Sequence, residues 1–412
     1  MIDDAVLSDA GAKTWFCGTH RCIPPADTLS RIMPLMSRFG ITRVANVTGL
    51  DWIGLPVVSA YRPNSRSLAV AQGKGVTLEA AKVSALMEAI ELYHAERVNL
   101  PVIYGRFSDL ATTHRIVEMA EVARTATSQY RDSLPLLWIE GFDLLQKERV
   151  LVPYESVHLD ATYPQPSGSG CFVSSSNGLA SGNSLLEAIS HGICEVVERD
   201  ATTLWSLRRT EARNSRRIDL KTVIDPTCRE IFRLLDRAAM DLVVWDLTTD
   251  VEIPSFLALL LERDRIPDRL QYSSAGMGCH PARDVALLRA VTEAVQSRLT
   301  LIAGARDDVF REEYQKDARR TERTLDHERL MKADGVRNFN DIPSFKGDTF
   351  RNDVVWGLEQ LDAAGIRRVV VVDLTDPSVD LPVVRVIIPG LEGPDKHPNY
   401  CAGKRAKAAS GT

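Results

Sequence analysis

Apolar residues recur at helical spacing along three long stretches, 77–97, 184–201 and 282–304, and in each a stripe of charged or polar positions interrupts them. In the first, Ser84, Glu88 and Glu91 stand at i, i+4 and i+7; in the third, Arg289, Glu293 and Gln296 repeat that spacing. The middle stretch, "SLLEAISHGICEVVERDA", carries Glu187, Glu195, Glu198 and Arg199 among Ile189, Ile193, Val196 and Val197. At about 100° per residue its three glutamates fall within about 80° of one another. A surface helix hides its apolar side and solvates its charges. Here the carboxylates stand in apolar company.

The remaining pattern predicts an amphipathic helix over 26–39 ended by Gly40, then strands at "TRVANVT" and "PVVSAYRP". A strand and a Gly-Lys-Gly turn precede the first long helix, with Thr77 as its N-cap. Residues 115–126 read as helical, and "LLWIEGFDLLQKERVLVP" as a pair of strands. The Gly/Ser-rich loop "PSGSGCFVSSSNGLASGNS" leads into the middle helix, and "IPSFLALLLERDRIPDRLQYSSAGMG" reads as two strands around a polar turn. The runs "RRVVVVDLT" and "LPVVRVIIPGL" close the core. Hairpins mixed with strand–helix units indicate an α+β fold, with mixed or antiparallel sheets packed on long helices. Residues 1–60 read as an N-terminal segment packed on the core, 61–405 as the main domain, and 406–412 as a tail. The charged stretch 305–352 reads as an excursion over a site.

Composition narrows the picture. A chain of 412 residues with 44% hydrophobic and 25% charged residues can bury an ordinary core. Its net charge of −5 argues against a nucleic-acid binder. The N-terminus has no signal-peptide pattern and no window approaches an uninterrupted apolar span, so no membrane role is expected. Seven scattered cysteines fit a reducing cytoplasm. Cys17, His20 and Cys22 in "CGTHRC" resemble half of a zinc site, but no second Cys/His pair answers them.

The three stripes face either water or one another. If they converge, two carboxylates about 4 Å apart repel by roughly 4 kcal/mol at an effective dielectric of 20. Protons or divalent cations would relieve that, and hard oxygen ligands select Mg²⁺ or Ca²⁺. Magnesium shared among carboxylates usually shares its shell with phosphate. Lys74, Arg199 and Arg289 would complement phosphate charge, with backbone N–H groups of "QGKG" or "SSSNG" beside them. Spacing alone leaves a solvated face and a metal–phosphate site both open.

At these residues the chain resembles the YcaO family of ATP-dependent peptide-modifying enzymes. The motifs are "SALMEAIE", "SNGLASGNSLLEAISHGICEVVERD" and "GMGCHPARDVALLRAVTEAVQSR", in that order. The resemblance runs from about residue 40 to 395. It implies a YcaO-type ATP-binding fold with a carboxylate-lined nucleotide site between helices. By that resemblance Glu88, Glu91, Glu187, Glu195, Glu198 and Glu293 form the Mg²⁺ shell, and Ser84, Asn183, Arg199, Lys74 and Arg289 contact ATP. Family members add a nucleophile to a backbone amide of a peptide or protein substrate and phosphorylate the amide oxygen with ATP. No side-chain nucleophile is required of the enzyme.

The nucleophile distinguishes the branches. A substrate Cys, Ser or Thr gives an azoline, sulfide gives a thioamide, and a backbone amine gives an amidine. The end of the chain, "NYCAGKRAKAASGT", lacks the proline-rich tail of the azoline branch, and the stretch "GITRVANVTGLDWIGLPVVSAYRPNSRSLAVAQGKG" is similar to the branch that works with a TfuA-type partner. Backbone thioamidation with a TfuA-like protein and a sulfur donor is therefore the leading expectation. An azoline-forming cyclodehydratase is the second reading and a non-catalytic ATP-binding scaffold the third. A homodimer is the default assembly. His191, one turn from both Glu187 and Glu195, reads as a packed core histidine or as a group that orients a carboxylate or moves a proton. Cys194 and Cys279 read as packing residues, His280 as shaping the start of the third helix, and "KRAK" as a solvated tail.

Overall fold

The computed structural model describes residues 2, 4–8, 10–166, 168–263, 273–308, 330–331, 333–395, 397 and 399–411. A 3-10 helix at Asp4–Ser8 precedes the first α-helix, α1 (Pro25–Ile32). Strands β1 (Arg43–Asn46), β2 (Val57–Tyr61) and β3 (Val70–Lys74) form an antiparallel meander that runs into α2 (Leu78–Glu96). Strands β4 (Val102–Arg106), β5 (Pro135–Asp143) and β6 (Glu148–Pro153) follow, with the single-turn α3 (Phe107–Leu110) after β4. Strand β7 (Leu179–Ser181) leads into α4 (Leu185–Ser206). After α5 (Thr210–Asn214), β8 (Ile218–Asp219) and α6 (Pro226–Arg237) comes a second meander. It consists of β9 (Met240–Asp246), β10 (Ser255–Glu262) and β11 (Ser274–Cys279), and it runs into α7 (Arg283–Ala303). Strand β12 (Arg337–Asn338), α8 (Phe350–Ala363), β13 (Val370–Asp373), β14 (Val383–Ile387) and α9 (Lys404–Ser410) complete the chain.

The architecture is α+β, as the pattern predicts. The larger sheet runs β4-β5-β13-β14-β7 with β6 on β5, and every pairing in it is antiparallel. The two meanders form separate sheets, each covered by the helix that follows it: α2 on β2 and β3, α7 on β10 and β11. Helix α4 packs on β7 and β14, touches β11, and also packs against α8. Among the described residues no helix is long and apolar enough to cross a membrane.

Two glycines explain how closely α2 and α7 settle on their strands. A Cβ on Gly73 would lie 2.0 Å from the Ala85 nitrogen, and one on Gly278 would lie 2.2 Å from the Ala286 oxygen. Helix backbone therefore rests directly on strand backbone, with Ala81, Ala85, Ala286 and Ala290 fully buried between them. The approach brings a carboxylate from each helix within reach of the strand's N–H groups.

Four expectations need correction or qualification. Residues 115–126 are not helical: Ile116 bridges Leu151, and Val117 donates to the Leu151 carbonyl. The segment's first residues bond along β6 and its last to Cys171 and Asn399, while Val117, Met119 and Val122 are buried. The basic "KRAK" is not a solvated tail but opens α9, where Arg405 pairs with the buried Asp200 at 2.9 Å. Of 305–352, residues 309–329 and 332 lie outside the described residues; 337–338 form β12 on β8, and 350–352 open α8. The polar turn expected between β10 and β11 also lies outside them, at 264–272.

Candidate functional site

Both α2 and α4 start on a hydroxyl cap: Thr77 accepts from the Ala80 N–H and Ser184 from the Glu187 N–H, each at 3.2 Å. The third long helix, α7, is preceded by Ala282, which makes no side-chain cap bond. Seven residues after these positions stand Ser84, His191 and Arg289. Four further on stand Glu88, Glu195 and Glu293, and three beyond those Glu91, Glu198 and Gln296. The sequence stripes are thus in register on three helices. The middle helix enters that register through His191, which spacing by carboxylates alone did not reveal.

These side chains face one another. Glu88 accepts from the Gln72 N–H and Glu293 from the Met277 N–H, both at 3.2 Å, using the close approach at Gly73 and Gly278. Glu91 accepts from the Ser181 hydroxyl at 2.5 Å. Lys74 holds Glu293 at 2.7 Å. Arg199 stands 3.9 Å from Glu195 and 3.7 Å from Glu198. Gln296 turns aside and donates to the Gln72 carbonyl at 3.0 Å, tying α7 to β3. Ser84 is half-buried on the same face of α2.

Crowding shows in the titration of the group. Burial pushes the Glu91 carboxyl up to about 8, with Glu195 and Glu88 adding like charge. Burial likewise moves Glu195 up to about 7, where Arg199 offsets part of the shift and Glu198 adds to it. Glu88 and Glu198 are also raised by burial. For Glu293 burial works upward, but Lys74 and Arg199 outweigh it and hold the carboxyl below its ordinary value. Arg199, despite burial, is held above its usual range by Glu198, Glu195, Glu293 and Glu88.

One turn earlier on α4, the buried Glu187 anchors the N-terminal segment. It accepts from the Cys22 N–H at 2.9 Å, lies 3.5 Å from Arg21, and takes Asn183 Nδ2 at 3.2 Å. Asn183 is fixed in turn by the Thr28 hydroxyl at 2.9 Å. Arg21 also feels Arg289 and Glu91, so this group adjoins the main cluster.

Sequence reasoning missed Arg21, Ser181 and Arg385. Arg385 is the one charge in the apolar run "LPVVRVIIPGL" and the signal was there to read. It is buried, donates to the carbonyls of Ser156, Ser175 and Asn177, and feels Glu195. It therefore fixes the "SSSNG" loop at the edge of the cluster.

The arrangement fits magnesium and phosphate. Among the described residues, no three of the glutamates bring their oxygens within 4.8 Å of one another. They face each other across a gap and form no closed cage. Magnesium is usually held by one or two carboxylates, waters and phosphate oxygens, so a gapped set of hard anionic donors flanked by Lys74 and Arg199 suits it.

A second group gathers more tightly and does not suit a metal. His20, His280 and Asp353 place ligand atoms within 4.8 Å of one another. However, His280 Nδ1 accepts from the Ala282 N–H at 3.0 Å, which puts the ring proton on Nε2. Coordination through either nitrogen would break that bond. Lys13 already neutralises Asp353 at 2.7 Å, inside a fully buried pair. This is a clasp of the N-terminal segment onto α8 and the start of α7. Cys17 is exposed and Cys22 sulfur lies 3.2 Å from the Ser184 hydroxyl, so neither joins His20.

Known proteins place the cluster in context. A family model described as "YcaO cyclodehydratase", binding ATP and Mg²⁺, matches residues 72–392. A protein from Rhizobium leguminosarum bv. trifolii, described as lying in the tfuA 3′ region, is 40% identical over 95% of this chain and 92% of its own. The structure of YcaO from Methanopyrus kandleri bound with AMPPCP and Mg²⁺ superposes with a TM-score of 0.71 at 24% identity, covering 92% of this chain and 95% of that one. A heterocyclase in complex with substrate and cofactor gives a TM-score of 0.76 at 24% identity over 93% of this chain. The chain spans only 54% of that heterocyclase's length. With the family model spanning the strand before α2 through to the segment after β14, and a full-length relative at 40% identity, the chain belongs to the YcaO family, whose cofactors are ATP and Mg²⁺.

Proposed function

We propose that the chain activates a backbone amide of a peptide or protein substrate, with ATP and Mg²⁺, and that sulfide completes the reaction to give a thioamide with a TfuA-type partner. The observation that carries the amide-activating reading is the facing of Glu88, Glu91, Glu195, Glu198 and Glu293 from three helices, with carboxyls at about 8 and 7 among them. Such strain is tolerable where cations are to be bound. In this reading those five and Glu187 share the Mg²⁺ ions. Lys74, Ser84, Asn183, Arg199 and Arg289 hold the nucleotide.

When bound, ATP supplies the phosphoryl group that makes the amide oxygen a leaving group, and Mg²⁺ neutralises the phosphate charge. The chain's own contribution is positioning and charge balance. Lys74 and Arg199 offset the acidic set; Ser181 and the Gln72 and Met277 N–H groups fix the orientation of three carboxylates. Sulfide adds to the amide carbon, and the former carbonyl oxygen departs with phosphate, so C=O becomes C=S.

The relative from the tfuA 3′ region supports the thioamide branch. The family model's description as a cyclodehydratase supports the azoline alternative. Intact-mass analysis of a candidate peptide incubated with the chain, a TfuA-type partner, ATP, Mg²⁺ and sulfide separates them. Replacement of oxygen by sulfur adds about 16 Da, and ring closure removes about 18 Da. Absence of both, with no peptide-stimulated ADP release, would leave only an ATP-binding scaffold.

A further inference from the structure

We propose that His191 is a positioning residue for Arg289: its Nδ1 takes a hydrogen bond from the guanidinium and aims it into the gap between the three helices. This rests on the ATP-binding reading of the cluster. The bond is 3.1 Å, from Arg289 Nη1 on α7 to His191 on α4. A guanidinium has only donors, so the imidazole must accept at Nδ1, and its proton sits on Nε2. The ring is therefore neutral and occupied at the nitrogen that faces Arg289. It acts as a fixed acceptor there, not as a proton carrier.

The register gives the same answer. His191 stands where α2 has Ser84 and α7 has Arg289, one turn before the glutamate layer. A carboxylate at this position would pull Arg289 into an ion pair and take its charge from an incoming phosphate. A neutral acceptor orients the guanidinium and leaves its full charge available. Arg21 and Lys74 also act on His191, so the ring lies among cations with which a triphosphate can pair. Glu187 and Glu195, one turn to either side, are served by other groups: Asn183, Arg21 and the Cys22 N–H for the first, Arg199 for the second.

The test is Mg–ATP titration calorimetry on the full chain, with thermal melts to verify folding. His191→Leu removes the acceptor and is expected to weaken Mg–ATP binding about 10- to 30-fold, the loss of one hydrogen bond to a charged group. His191→Asn places an oxygen near the Nδ1 position without any ring to carry a proton, and is expected to restore most of the affinity. In the peptide assay the Leu variant should raise the KM for ATP more than it lowers kcat. Arg289→Lys should lose affinity by itself, and adding His191→Leu to it should cost little more. A folded His191→Leu chain that binds Mg–ATP like the unaltered one overturns the proposal. So does an Asn variant that binds ATP well yet has lost turnover, which would make His191 a proton carrier. If the Leu variant fails to fold, His191→Gln, whose amide falls at the Nε2 position and leaves the Nδ1 position empty, takes its place both alone and in the pairing with Arg289→Lys. Failure of the unaltered chain to bind Mg–ATP at all would sink the reading of the whole cluster, and this tie with it.

Discussion

Binding of Mg–ATP should expel protons from the glutamate cluster, and a minimum number follows from two carboxyls, to which Glu88 and Glu198, also raised, can only add. Glu91 titrates at about 8 and Glu195 at about 7 in the cofactor-free chain. At pH 7 the first is about 90% protonated and the second about half, so roughly 1.4 protons leave if both meet the metal as carboxylates. At pH 9 the same two groups release only about 0.1. The sign is fixed: the free site favours the protonated form and the bound site the ionised one, so affinity rises with pH and levels off above Glu91's value. Ionising both groups at pH 7 costs a factor of about 20 in affinity relative to pH 9, or roughly 2 kcal/mol. Titration calorimetry in buffers of different ionisation enthalpy counts the protons directly, after subtracting the phosphate's own titration measured without protein. A release near zero at pH 7, with a Kd unchanged between pH 6.5 and 9, would refute the reasoning: those carboxyls would not be meeting the cation.

Replacing Glu198 by Gln should weaken Mg-dependent ATP binding about 100-fold or more while leaving a cooperative melt; unchanged affinity by calorimetry would remove it from the metal shell. Gly278→Ala forces a methyl to 2.2 Å from the Ala286 oxygen and should destabilise the chain by about 1–3 kcal/mol in denaturant unfolding, and weaken Mg–ATP binding because Glu293 loses its place at Met277. An Ala variant as stable as the original would mean that α7 can lift off β11 without cost. Lys13→Met leaves Asp353 buried without its cation and should cost about 3–5 kcal/mol, whereas Lys13→Met combined with Asp353→Leu should recover most of it. If the double substitution is no better than the single one, the clasp depends on shape and not on charge.

Local chemistry made much of this legible. Thr77 announces α2 because a hydroxyl in extended backbone satisfies an otherwise unpaired N–H, and it does so here with Ala80. The stripes on α2, α4 and α7 were readable because a helix fixes side-chain direction for many residues at a time. What sequence could not supply were partners delivered from distant segments. Arg21 reaches Glu187 from the N-terminal segment, and Ser181 reaches Glu91 from the end of β7. Nothing in their local pattern marks them. Residues 115–126 failed for the converse reason: their apolar spacing is real, but their backbone bonds go to Leu151, Cys171 and Asn399, and periodicity does not reveal where N–H groups are spent. Helix α6 carried a signal in Cys228, Ile231 and Leu235, all buried at helical spacing, yet no chemistry drew attention to it.

The shared register says why three helices are needed. A single helix can offer carboxylates one turn apart on one face, but it cannot surround anything. Three helices in the same register offer layers. The middle layer, Glu88, Glu195 and Glu293, is acidic throughout, and the next supplies Glu91 and Glu198, while Gln296 is an amide turned to the Gln72 carbonyl. The remaining layer, Ser84, His191 and Arg289, holds no carboxylate. Charge therefore changes along the shared face from anionic to neutral and cationic within about two turns, and only Glu187, one turn further back on α4, returns a carboxylate beyond it. A site that only gathered cations would have no use for Arg289 held in place by a neutral imidazole, and one that only gathered phosphate would not tolerate five carboxylates. In the proposed reading a metal-bound polyphosphate uses both ends, the anionic layers for the metal and the cationic one for phosphate.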